Sequence, residues 1–208
     1  MKKILITGFE KFDVARSNPT QEMLVELNYS KAQVECVVLP VEFEASFTKL
    51  ESVIDTFNPD YVLLCGLAGN RDHISVEKIG INYINARIPD NKGYQPFDKK
   101  ISETGDDGYF STLAVSELAC HIQSLGIDLR MSFNAGSYVC NYLLYKTLLH
   151  LKGSAVKSTF FHFPPAIDEK SIESYQHFLI EVLNFIVDKP DVSLQSIANN
   201  ASQFATED

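Results

Sequence analysis

A cysteine that can reach a histidine, with a carboxylate to orient the ring, is enough to cleave an amide. One cysteine of this chain is placed for attack. Cys140 lies within Asn134-Ala135-Gly136-Ser137-Tyr138-Val139-Cys140-Asn141-Tyr142-Leu143-Leu144-Tyr145. Leu129-Arg130-Met131-Ser132-Phe133 reads as a short buried strand before it. Leu143, Leu144, Leu148, Leu149 and Leu151 recur after it at the spacing of one helix face. Ala135-Gly136-Ser137 is then the turn between them, with Ser137 as the expected N-cap. This places Cys140 in the first helical turn, where unpaired N–H groups and the helix dipole favour a thiolate. A free cysteine is more often a small core residue, and this stretch alone leaves both readings open.

Of five histidines, His73 falls in a polar loop, and His121, His150 and His177 fall on helices among surface-like neighbours. His162 closes an apolar strand just before Pro164-Pro165. In an open α/β sheet the strand C-termini form the ligand-binding edge, so His162 and Cys140 can meet there. Such a histidine holds a cysteine as thiolate–imidazolium and then protonates a leaving amine. The alternative is a strand-end histidine bonded to backbone. For the third group, spacing leaves Glu77 and Asp90 open: Glu77 sits in an alternating strand, where a solvated carboxylate is the default, and Asp90 follows a proline, where an Asx-turn is. Gly66-Leu67-Ala68-Gly69-Asn70-Arg71 offers a further idea, a turn that cradles phosphate, but it matches neither the Walker nor the Rossmann pattern.

The elements that must position these groups alternate between strand and helix. Ile4 to Ile6, Val34 to Val41, Tyr61 to Cys65 and Ser158 to Phe163 read as apolar strands. Ile74 to Asn82 alternates, as a half-exposed strand would. Helices are expected from Pro19 through Leu27, over Ala45 to Phe57, Leu113 to Leu125 and Ile172 to Val187. Uniformly apolar strands in this rhythm predict an α/β fold, a mostly parallel sheet with helices on both faces. The chain of 208 residues suits one domain, with a polar tail from about residue 191 and a short helix expected near Leu194 to Ile197.

Composition narrows the classes further. A net charge of −9 argues against nucleic acid or an anionic membrane as the main partner. No apolar run is long enough to span a bilayer, and Phe9-Glu10-Lys11-Phe12-Asp13 interrupts the apolar N-terminus too early for a signal peptide. Cys36, Cys65, Cys120 and Cys140 form no CxxC pair, so neither a disulfide framework nor a zinc site is suggested. Reduced thiols in the cytoplasm are the simplest account. Cys36, Cys65 and Cys120 fall in patterns suited to burial.

Taken together, the segments resemble the pyroglutamyl peptidase I (pyrrolidone-carboxylate peptidase) family of cysteine exopeptidases. The matching blocks are ILITGFEKF, SNPT, VLP, GLAGNR, ISVEKIGIN, ARIPDN and YFSTL, and above all NAGSYVCNYLLY and FHFP, from residue 3 to about 165. The resemblance implies Cys140 as nucleophile, His162 as general acid/base and Glu77 as the third catalytic group. Asp90, Arg87 and Asn18 become supporting residues, and Phe9, Phe12, Ile88, Tyr138 and Val139 the walls around a pyroglutamyl ring. It also implies a three-layer α/β/α sandwich akin to nucleoside phosphorylases, no metal or organic cofactor, peptides with N-terminal pyroglutamate as substrates, and a homo-oligomer, tetramer or dimer. Two rivals on the same scaffold are a non-catalytic ligand-binding protein and a phosphorylase-like enzyme. The chain departs from the family in three places. Lys11-Phe12-Asp13-Val14 replaces a Pro-Phe-Gly-Gly run, Pro164-Pro165-Ala166 stands where a tyrosine often follows, and the C-terminal third is only weakly similar.

Overall fold

The computed structural model describes residues 1–12, 18–25 and 27–188, and the backbone of 206–207. Asp13 and Val14, and the short helix expected near residues 194–197, lie outside the described residues. The strands are β1 (Lys3–Phe9), β2 (Gln33–Leu39), β3 (Tyr61–Leu67), β4 (Ile74–Glu77), β5 (Ile79–Ile81), β6 (Gly108–Phe110), β7 (Leu129–Ser132), β8 (Lys157–Phe163) and β9 (Thr206–Glu207). The helices are α1 (Pro19–Glu22), α2 (Phe43–Phe57), α3 (Val115–Ser124), α4 (Val139–His150) and α5 (Glu169–Asp188).

The main sheet runs β2-β1-β3-β8-β4-β7-β9, and β5 pairs with β6 in a separate antiparallel ribbon. Neighbours in the main sheet are parallel except β4 and β8, which are antiparallel. The sheet is thus mixed but mostly parallel, with helices on both sides. Side chains alternate across each strand, and the two faces have separate cores. On one, Ile4, Ile6, Leu63, Val76, Phe161 and Phe163 meet Leu118 and Ile122 of α3 and Phe178, Leu179 and Val182 of α5. On the other, Leu5, Val62, Leu64 and Phe160 meet Phe47, Leu50 and Ile54 of α2 and Val139, Leu143, Leu144 and Leu148 of α4. Each fully buried Leu or Phe contributes about 1.5–3 kcal/mol, so both layers are firmly seated.

Three sequence expectations change. The alternating stretch from Ile74 is two strands broken at Lys78, and its first part is wholly buried, Glu77 included. Its polar side faces the second core instead of water. β2 is an edge strand, so Cys36 is exposed despite its apolar neighbours. α1 is a single turn: after it the amide N–H groups of Leu24 and Val25 bond three residues back, tightening the chain out of the α-helix.

Candidate active site

Cys140 is the second residue of α4, and the turn before it is built from three local devices. Gly136 has φ +81°, in the left-handed region that side chains disfavour, and its N–H donates to Asn134 Oδ1 at 2.9 Å. Ser137 is not the cap: its hydroxyl donates to Asn85 O at 2.9 Å. Tyr138 occupies the cap position with extended backbone and offers no side-chain acceptor. The N–H groups of the first turn are therefore left without a side-chain cap, at the end of the helix that carries the thiol. Asn141, fully buried beside Cys140, anchors this helix start to the β5 ribbon through Ile81 N, Ile81 O and Tyr83 O, at 2.9–3.0 Å.

Strand alternation brings the partners to the same face. Phe160 belongs to the α4-side core, so His162, two residues on, points to that side as well. In the antiparallel register Glu77 lies opposite Phe160, which makes it the diagonal neighbour of His162 on that face. His162 Nδ1–H donates to Glu77 Oε1 at 2.6 Å, and the Cys140 side chain lies close enough to the ring to favour its charged form. Burial pulls the imidazole pKa down, but Cys140 and Glu77 outweigh it and push the value up to about 9. For Glu77, burial acts to raise the pKa, while the hydrogen bond to His162 and its charge, the nearby Ser132 hydroxyl and the Arg71 charge bring it below the usual carboxylate value.

Room for this contact comes from β3. Gly66 is registered beside His162, and a Cβ there would lie 3.0 Å from Cys140 Sγ and 2.6 Å from Phe160 Cζ. Any side chain would collide with the Phe160 ring and crowd the thiol. Arg71, considered above only as a phosphate ligand, is held inside the protein: its guanidinium donates to Glu77 Oε1 at 2.7 Å and to Ser132 Oγ and Asn134 O at 3.1 Å.

Cys140 opens into a cleft of about 460 Å³ lined by Phe9, Phe12, Val41, Ile88, Tyr138 and Val139, with Asn18, Asn85 and Arg87 among its polar residues. Tyr138 forms the centre of an aromatic wall, edge-on to Phe12 at 5.7 Å and to Phe43 at 5.3 Å. A wider groove along α2, about 930 Å³, contains neither Cys140 nor His162. Asn18 faces the cleft with its amide already engaged, accepting from Thr20 N and Oγ1 and donating to Glu10 O. Asp90 stands apart from His162. Its carboxylate accepts from Lys92 N, Tyr94 N and Phe43 N at 2.9–3.2 Å, so it shapes the loop bearing Ile88 and caps α2 from a distance. Among the described residues, no group of three or more His, Cys, Asp or Glu side chains converges to hold a metal ion.

The polar relay and the apolar cleft can be set beside known proteins. The family model for pyroglutamyl peptidase matches residues 2–197. A pyrrolidone-carboxylate peptidase of Fusobacterium nucleatum is 36% identical over 201 residues, covering 95% of this chain and 88% of its own length. Pyrrolidone-carboxylate peptidase 1 of Photorhabdus laumondii is 41% identical over 79% of each chain. Among solved structures, pyrrolidone carboxyl peptidase from Pyrococcus furiosus superposes with a TM-score of 0.84 at 33% identity, covering 90% of this chain and 99% of that one. Pyroglutamyl peptidase I from Bacillus amyloliquefaciens gives 0.82 at 30%, covering 86% and 92%. With nearly its whole length matched by the family model, and with relatives well above 30% identity, this chain belongs to the pyroglutamyl peptidase family.

Proposed function

We propose that the protein is a cysteine exopeptidase that removes an N-terminal pyroglutamyl residue from peptides, with Cys140 as nucleophile, His162 as general acid and base, and Glu77 orienting and charging the imidazole. The observation that carries this reading is the line Cys140–His162–Glu77 at the end of an aromatic cleft. The Cys140 sulfur, as thiolate, adds to the pyroglutamyl carbonyl carbon, and the carbonyl electron pair moves to oxygen beside the uncapped N–H groups of α4. Collapse restores the carbonyl and breaks the C–N bond, and His162 gives its proton to the departing nitrogen. Water then adds to the thioester and yields its proton to His162. A second collapse frees pyroglutamate and restores the starting pair.

The uncharged lactam suits a cleft walled by Phe9, Phe12, Ile88, Tyr138 and Val139, with Arg87 at its exposed edge. Arg87, Asp90 and Asn18 act as supporting residues, the last two through the loop contacts given above. The free thiols among the described residues suit a reducing, cytoplasmic compartment. By the family resemblance, the working form is a dimer or tetramer.

The test is release of a chromogenic amine from its pyroglutamyl amide, with and without iodoacetamide, beside the matching prolyl amide. Release abolished by iodoacetamide is expected. The prolyl compound should be poorer by about 10²-fold or more, since each unmet buried polar group costs about 1–3 kcal/mol. Turnover indifferent to iodoacetamide would refute the mechanism. Within this reading, Phe12→Ala should raise KM about ten-fold through lost ring packing and leave kcat within about three-fold. An unchanged KM would remove Phe12 from the substrate wall.

A further inference from the structure

We propose that Arg71 is a positioning residue of the catalytic group: its guanidinium locks the Glu77 carboxylate to the turn that carries Cys140 and balances the charge of the reacting cluster. The inference rests on the roles proposed above for Cys140, His162 and Glu77. Three elements meet on this one side chain. Arg71 comes from the connection between β3 and β4, Glu77 ends β4, and Ser132 and Asn134 lie where β7 runs into the turn before α4. Because the guanidinium is a rigid planar fork, it holds the carboxylate and the turn at a fixed separation, which a lysine ammonium cannot do.

Charge balance gives the second argument. Among the described residues, the charged or titratable groups facing Glu77 are His162 from β8 and Arg71, with the Cys140 side chain beyond the imidazole. Among the described residues, the reactive state sets two anions of this cluster, the Cys140 thiolate and Glu77, beside two cations, the His162 imidazolium and Arg71. The Arg71 and Glu77 side chains are only 12% and 0% exposed, so water does little to screen them. Both Arg71 and His162 donate to the same oxygen, Oε1. Without Arg71 the Glu77 carboxylate loses a directly bonded cation out of water, and a buried anion in that situation is relieved by taking up a proton. Protonation of Glu77 disarms the site, and it sets in at higher pH than in the intact cluster.

The test compares the wild type with Arg71→Ala and Arg71→Lys. It reads kcat and KM from pH 4 to 9, and the pH dependence of Cys140 alkylation by iodoacetamide, followed on the peptide containing Cys140. For Arg71→Ala, kcat/KM at neutral pH should fall about 10²-fold with KM within about three-fold, as for a misplaced catalytic group. Its acid limb should move up by about one pH unit in both readouts, and tens of millimolar guanidinium should restore part of the rate. Arg71→Lys keeps the charge, so its acid limb should stay in place while the rate falls about ten-fold through the lost fork. An Arg71→Ala protein with the wild-type acid limb and no rescue overturns the proposal. If that variant does not fold, a folded Arg71→Lys protein with wild-type kcat/KM overturns it instead. A wild type that fails on pyroglutamyl amides would refute the proposed function, while the alkylation profiles would still judge Arg71.

Discussion

Cys140→Ala should lower kcat/KM for a pyroglutamyl amide by about 10⁴-fold or more, as loss of a covalent nucleophile does elsewhere. Cys36→Ala, Cys65→Ala and Cys120→Ala should each stay within about three-fold of the wild type. Cys36 is exposed on the edge strand, and Cys65 and Cys120 are buried in the sheet and in α3. Of the four cysteines, Cys140 alone lies at the cleft and close enough to the imidazole to favour its charged form. Steady-state kinetics on folded variants settle the matter, and full activity in Cys140→Ala would end the thiol mechanism. Cys65→Ala is expected to lose stability instead, because it empties space in a close-packed interior.

His162→Ala should cost about 10³-fold in kcat, within the usual span of general acid–base catalysis. It should also change how stability depends on pH. The folded-state pKa of His162 is about 9, against 6.5 for the free side chain. A raised pKa stabilises the fold fully below 6.5 and loses that contribution as pH climbs through about 9. The wild-type melting temperature should therefore decline across that window, by an equivalent of up to about 3 kcal/mol, and the decline should flatten in His162→Ala. Glu77 works in the opposite sense: its lowered pKa gives stability above the ordinary carboxylate range, lost on acidification. Thermal melts of both proteins from pH 5 to 9.5 check this. Parallel curves would mean that His162 is not held by the pair.

The helices and apolar strands were readable because each announces itself over a few consecutive residues: Phe47, Leu50 and Ile54 mark the inner face of α2, and Val62, Leu63 and Leu64 mark a strand covered on both sides. Cys140 and His162 were legible as candidates because each follows directly from such a local signal. Spacing alone does not separate Glu77 from Asp90, and only the family resemblance does. The contact that distinguishes them spans 85 residues and depends on an antiparallel pairing that no local pattern encodes. The same stretch misled on burial. Alternation normally means that the polar side meets water, and here Ser75 and Glu77 are buried on the side of the sheet that α2 and α4 cover. Ser137 had the right chemistry for a cap, but its hydroxyl serves Asn85. Arg71 was seen as a cation in a glycine-rich turn, and its three acceptors come from segments remote in sequence, apart from Glu77.

The place of β8 bears on how the protein is made. It is a late segment of the chain, at Lys157–Phe163, yet it sits in the middle of the sheet, bonded to β3 on one side and β4 on the other. Until a ribosome has delivered it, β3 and β4 are two separate edges with apolar faces, the condition in which nascent chains pair wrongly or attract chaperones. The strand that closes the gap also brings His162, so the proposed site is incomplete in the growing polypeptide until its sheet can close. A chain stopped short of residue 157 would be both unarmed and sticky, and is expected to be found with chaperones or in aggregates.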